Sequence, residues 1–166
     1  MNPFIQLDMV GKIISGGQTG ADRAALDFAM ENGIAHGGWC PLGRLAEDGA
    51  IPEKYVLKEA ATNDYRDRTL RNVMEADGTL IFYFDRLQGG TFLTYRYAKK
   101  FGRPTFLARL PTNSRSRQRA RKWLLDHGIY TLNIAGPRAS KDERIYQAVL
   151  DYLGQLFDQQ QPRLPL

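Results

Sequence analysis

The stretch "KIISGGQTGADRAALDFAMENG", Lys12 to Gly33, decides the fold. Its first residues, "KIIS", form a short apolar run that reads as a buried strand. Two glycines end the run, and the polar turn "GGQTG" follows. Ala21 to Asn32 then reads as a helix, with Ala25, Leu26, Ala29 and Met30 on one stripe and Gly33 as its stop. Strand, glycine turn and helix together make the opening unit of an α/β domain. The turn is either punctuation or a cradle for an anion.

The rest of the chain repeats the alternation. "AHGGWCPLGRLAEDGAIPEKY" predicts a short strand entering a long ordered loop, of the kind that often carries function. "RDRTLRNVMEADG" predicts a helix ending at Gly78, and "TLIFYF" a strand. "GGTFLTYRYAKKFG" is a glycine turn leading into a helix, and "PTFLARL" is a strand. "NSRSRQRARKWLLDHG" is a helix with an Asn/Ser start and a glycine stop. "YTLNIAG" is a strand, and "ASKDERIYQAVLDYLGQLF" a final helix with Ile145, Val149, Leu150 and Leu153 on one face. The tail "DQQQPRLPL" reads as a frayed end. No repeat and no second composition regime appears, so the expectation is a single domain over 1–166 with its core at about 12–157. Strands alternating with helices predict three layers, a mostly parallel sheet with helices on both faces.

Composition narrows the function classes. The hydrophobic fraction is 43% and the charged fraction 25%, ordinary for a globular protein. No apolar run approaches the roughly 20 residues of a membrane helix, and "MNPFIQLDMV" lacks the basic start and apolar core of a secretory signal. Cys40 is the single cysteine, which suits a reducing cytoplasm. His36 and His127 stand far apart, so no zinc-ligand spacing is visible. The net charge of +5 points to an anionic partner: a nucleic acid, a nucleotide or another phosphorylated ligand.

In an open α/β sheet, ligands bind beyond the carboxyl ends of the strands. Three strands here end in glycine-bearing turns: "SGGQTG", "FDRLQGGT" and "NIAGPRAS". Each can aim backbone N–H groups and a helix start at an anion. The first turn offers Gly16, Gly17, Gln18, Thr19 and Gly20, with Asp22 and Arg23 just inside the helix. The second offers Gly89, Gly90 and Thr91, and the third Gly136, Pro137, Arg138 and Ser140. Further candidates are Trp39, Arg44, Glu47 and Asp48 on the long loop, and Arg68, Thr69 and Asn72 near a helix start. A carboxylate placed at Gly17 is expected to abolish ligand binding while leaving the fold largely intact. Neither the Walker spacing nor GxGxxG fits "GGQTGAD", which disfavours a P-loop NTPase and an ordinary NAD dehydrogenase.

Taken together, "GGQTGADRAALDFA", "GGWCPLGRLAEDGAIPEKY", "RTLRNVMEADGTLIFY", "GGTFLTYRYAKKFGRP" and "NIAGPRAS" resemble the molybdenum cofactor carrier protein-like family. This is the circularly permuted YpsA-like branch of the SLOG superfamily, related to the LOG and DprA domains. The resemblance runs from about Lys12 to Phe157. It implies a Rossmann-like fold that forms homo-oligomers, and molybdenum cofactor (a molybdopterin) as ligand, with a nucleotide as the alternative. It also brings molybdoenzymes and cofactor-synthesis proteins into view as partners. The cofactor has a phosphate end, an oxo-metal end and a flat ring, and several donor-rich turns suit it. The loop from Gly37 to Tyr55 could wall it off, and Trp39 could cover its ring.

The rival reading is a LOG-like nucleotide hydrolase of the N-glycosidase type. Its family pattern places a Glu shortly after the second turn, but "GGTFLTYRYAKK" has no carboxylate from Gly89 through Lys100. That weighs toward holding a ligand over cleaving one. The densest charge, "RSRQRARK", puts Arg115, Arg119 and Lys122 near one helical stripe and Arg117 and Arg121 on another. A solvated face is the favoured reading there, with nucleic-acid contact as its rival. Cys40 reads as packing.

Overall fold

The computed structural model describes residues 10–158. The tail from 159 onward and the start before Val10, with its signal reading, lie outside the described residues.

Five parallel strands form the central sheet: β1 (Lys12–Ile14), β2 (Ala35–Gly37), β7 (Gly78–Tyr83), β8 (Thr105–Arg109) and β9 (Thr131–Ala135). Their order is β2-β1-β9-β7-β8, and every pairing is parallel. Among the described residues five helices accompany them: α1 (Ala21–Glu31), α2 (Tyr65–Glu75), α3 (Gly89–Lys100), α4 (Ser114–Asp126) and α5 (Ile145–Leu156). The result is the three-layer, Rossmann-like α/β sandwich that the alternation predicts.

Side chains alternate across the strands, so both faces must be covered. Ile13, Leu80, Phe82, Leu132 and Ile134 join one cluster with Ala25, Phe28, Leu124, Val149 and Leu153 of α1, α4 and α5. Burying each large side chain there contributes about 1.5–3 kcal/mol. On the opposite face α2 and α3 pack against each other and over β7, β8 and β9. That face includes a buried polar pair in register between strands, Asn133 donating to Thr79 Oγ1 at 3.3 Å.

Two boundaries differ from the sequence expectation. Helix α2 ends at Glu75, and Gly78 opens β7. A Cβ at Gly78 would sit 2.7 Å from Ile129 Cδ1, so this glycine serves close packing as well as punctuation. The final helix begins at Ile145, with residues 139–144 forming a turn that feeds it.

The long loop is ordered by two small ladders. β3 (Trp39–Cys40) pairs in parallel with β6 (Lys58–Glu59), and β4 (Leu45–Ala46) forms a hairpin with β5 (Gly49–Ala50). A second apolar cluster of Leu26, Cys40, Ile51 and Tyr55 seats this loop on α1. Cys40 is fully buried in it, and burial pushes its thiol pKa up, as expected for a packing residue.

The strand order positions the candidate site. The β1–α1–β2 unit runs toward one edge of the sheet and β7–α3–β8 toward the other. Helices α1 and α3 cover opposite faces. Strand β9 lies between the two units, at the switch point where open α/β sheets form a crevice.

Candidate functional site

Strands β1, β9 and β7 are neighbours and parallel, so all three glycine turns emerge on the same edge of the sheet. The first and third touch. Gly20 has φ +80°, and a Cβ there would lie 2.5 Å from Pro137 O. The Ala21 N–H donates to that carbonyl at 3.1 Å. The Ala139 N–H donates to Thr19 Oγ1 at 3.1 Å. A Cβ at Gly136 would lie 2.7 Å from that of Ala21, so this glycine lets β9 come close to the start of α1.

The β4–β5 hairpin closes over this junction. Its Glu47 carboxylate accepts from the Thr19 hydroxyl, from the Ser140 hydroxyl and from the Ser140 N–H at 3.1 Å. Arg138 Nε lies 3.6 Å from the same carboxylate. Gln18 Oε1 accepts from the N–H groups of Thr19 (3.0 Å) and Glu47 (2.9 Å), which fixes the hairpin tip. The neighbouring Asp48 accepts from Nη1 and Nη2 of Arg23, the latter at 2.7 Å, while Arg23 Nε donates to Gly17 O at 3.2 Å. Partial burial pushes the Glu47 carboxyl up. The hydrogen bonds from Ser140 and Thr19 and the charge of Arg138 outweigh it, holding the group below the usual range. The hydrogen bond from Arg23 lowers Asp48 likewise.

Beneath the first turn Asp22 is buried. It accepts from the Gln18 N–H at 3.1 Å and from Arg68 Nη1 at 3.1 Å. Burial pushes its pKa up against the opposing pull of Arg68. Arg68 runs past Gly16, where a Cβ would meet its guanidinium at 1.4 Å. Both residues therefore build the floor of the turn.

The second turn is different in kind. Gly89 and Gly90 are exposed, and a Cβ on either would meet nothing within 4 Å. The N-cap residue of α3, Gln88, makes no side-chain capping bond, which leaves the helix start open. Thr91 is buried behind it.

Four loop and α2 candidates are engaged elsewhere. Arg44 laces the loop together, donating to the carbonyls of Ile51, Pro52 and Tyr55. Asn72 is buried and bonds both the N–H and the carbonyl of Trp39, pinning β3. The Thr69 hydroxyl donates to Tyr65 O within α2. The Trp39 indole N–H donates to Glu75 at 2.9 Å, and Arg71 and Lys58 lie 4.8 and 5.3 Å from its ring. That ring joins the loop to α2. The sequence expectation for Gly17 also needs correction. It has φ +77°, and a Cβ would press on Leu57 at 2.6 Å, so an aspartate there strains the fold itself. Sequence reasoning missed Asp27, whose carboxylate joins the loop to α5. Nothing local in "AALDFA" marks that role.

Chemically, the junction of the first and third turns surrounds the Glu47 carboxylate with two hydroxyls, the Ser140 N–H and a guanidinium, the donor set an oxyanion needs. Among the described residues no group of three His, Cys, Asp or Glu side chains is placed to hold a metal ion. No helix among them is long and apolar enough to cross a membrane.

Fold and edge together define a Rossmann-like α/β domain with donor-bearing turns at its switch point. The chain belongs to the circularly permutated YpsA SLOG family, whose model matches residues 13–157. It is similar to a crystal structure of a "Putative molybdenum carrier protein" from Syntrophus aciditrophicus SB. The identity is 49% and the TM-score 0.87, over 90% of this chain and 96% of that one. No curated protein matches the chain.

Proposed function

We propose that this protein binds and carries molybdenum cofactor, or a molybdopterin-type ligand, at the glycine turns on the carboxyl edge of its sheet. The observation that carries the reading is that Thr19, Arg138 and Ser140 already converge on an oxyanion, the carboxylate of Glu47. A phosphate end of the ligand has the same donor requirements and would take that place. The open second turn, with Gly89 and Gly90, follows the strand next to β9 on the same edge and offers backbone donors to the rest of the ligand. The likeness to the molybdenum carrier protein of Syntrophus aciditrophicus supports the ligand class. When bound, the cofactor supplies the oxo-metal chemistry, and this chain's residues hold and shield it. A carrier needs no nucleophile, and the stretch Gly89–Lys100 contains no acid for attack at a ribose.

The test is expression in a host that makes the cofactor, followed by mass spectrometry and metal analysis of what co-purifies. Molybdopterin with molybdenum supports the carrier. A bound nucleotide supports the alternative, a nucleotide-binding sensor, and released base on incubation with nucleoside monophosphates would point to a hydrolase. Sedimentation of the same sample tests the homo-oligomer.

A further inference from the structure

The basic helix α4 divides into two groups. Arg121 donates to the carbonyls of Leu156 (2.9 Å) and Gln155 (2.6 Å), tying α4 to the end of α5. Lys122 pairs with Asp126 at 2.7 Å. Arg117 reaches Thr112 Oγ1 at 3.5 Å. Arg115 and Arg119, one helical turn apart, do something else. With Arg109 at the end of β8 they line an open cleft of about 550 Å³. Arg109 is steadied there by donating from Nε to Phe84 O at 3.1 Å. Among the described residues none of these three guanidiniums is paired with a carboxylate. The cleft contains one acid, Asp85, and an apolar side from Leu107 and Leu110.

We infer that this cleft binds a phosphate monoester of a compact apolar group. Three guanidiniums against one carboxylate leave a surplus of two positive charges, which matches a phosphate monoester near neutral pH. Guanidinium forks suit phosphate oxygens, and Leu107, 38% exposed, offers apolar surface to the esterified group. The volume falls in the range of small-ligand sites. A nucleic-acid strand would instead want a row of free cations along the helix, and that row stops at Arg119 because Arg121 and Lys122 are engaged. The cleft shares Phe84 and Asp85 with the segment that enters the second turn, but it contains no residue of the first or third glycine turn or of Gly89–Thr91, so binding at the turns can be read apart from it.

The experiment is an amide NMR titration of the full chain with phenyl phosphate, inorganic phosphate and benzoate. Phenyl phosphate is expected to shift the amides of Arg109, Thr112 and Ser116 and to bind about fivefold or more tighter than either other probe. The double variant Arg115→Ala/Arg119→Ala should weaken it about tenfold. The control Arg96→Ala/Lys99→Ala removes the same charge from exposed positions on α3 and should weaken it less than about twofold. Equal weakening in both variants, no shifts across 109–119, or benzoate or inorganic phosphate binding as tightly would overturn the assignment. A single-stranded oligonucleotide that displaces phenyl phosphate from these amides would also overturn it, in favour of nucleic acid. Shifts at 16–20 and 136–140 report on the glycine turns separately, so failure of either site is distinguishable.

Discussion

The carboxylate of Glu47 accepts hydrogen bonds from both the backbone N–H and the hydroxyl of Ser140, 93 residues further along the chain. A loop acid thus occupies the place where donors of two separate βα turns meet. An oxyanion bound there, as proposed, would need the same groups as Glu47 and would compete with it.

Glu47→Ala removes the internal competitor. The affinity of the turns for inorganic phosphate or molybdate, read from the amides of Thr19, Ala139 and Ser140, should rise by about tenfold, since hydrogen bonds to a charged group contribute about 1.5–3 kcal/mol. Unchanged affinity would show that the hairpin and the ligand do not share donors.

Acid should release the hairpin. Glu47 and Asp48 both titrate below their ordinary values of 4.5 and 3.8. Groups with depressed folded pKa values contribute stability above those ordinary values and lose it as the pH falls through the folded ones. The window therefore lies below pH 4.5, and an NMR pH titration should show the 45–50 amides moving there with Glu47 and Asp48 as the titrating groups. Glu47→Gln should remove its share of that step. Movement that begins well above pH 5 would contradict the geometry.

Two glycines should respond in opposite ways. Gly20→Ala forces a Cβ against Pro137 O at positive φ and is expected to cost about 2–4 kcal/mol in urea unfolding. Gly90→Ala meets open space at a helix start and should leave stability within about 1 kcal/mol. If Gly90→Ala nevertheless weakens ligand binding, that glycine is there for the ligand's approach. A large stability loss at Gly90 would contradict the open second turn.

Asp27 holds the loop and the last helix together. It accepts from Tyr55 Oη at 2.7 Å and from Tyr146 Oη at 2.5 Å. Asp27→Ala should cost about 2–3 kcal/mol. Burial, then the hydrogen bond to Asp27, pushes Tyr146 up to about 12 and raises Tyr55 further. Raised folded values mean that this stability is intact below the ordinary tyrosine value of 10 and is lost as the pH climbs toward 12. Tyrosinate absorbance should show these two residues titrating last, and an ordinary titration at both would dismiss the latch.

Much of the architecture was legible because it rests on local signals. Periodicity placed each sheet strand and helix, and glycines marked the turns. It misjudged the end of α2 and the start of α5: Ala76 is already extended, with Asp77 hydrogen-bonded to Tyr130 and Thr131, and a turn precedes Ile145. The site was legible as a set of donors. Trp39, Arg44, Thr69 and Asn72 are tied into the loop and α2, and polar side chains near a predicted edge look alike in sequence whether they face a ligand or tie down a loop. The cleft at Arg109 was invisible, since it joins a strand end to a helix that sequence reads as a solvated face.

By itself the sequence determined the elements and their alternation, and hence a parallel sheet with helices on both faces, because strand and helix periodicities are properties of neighbouring residues. Only the tertiary structure decided which donors remain open. Strand order set β9 between β1 and β7, brought Ser140 to Thr19, and placed Glu47 between them. Hydrogen bonds between residues 28 and 93 positions apart depend on where the chain returns in space, and no local pattern encodes that.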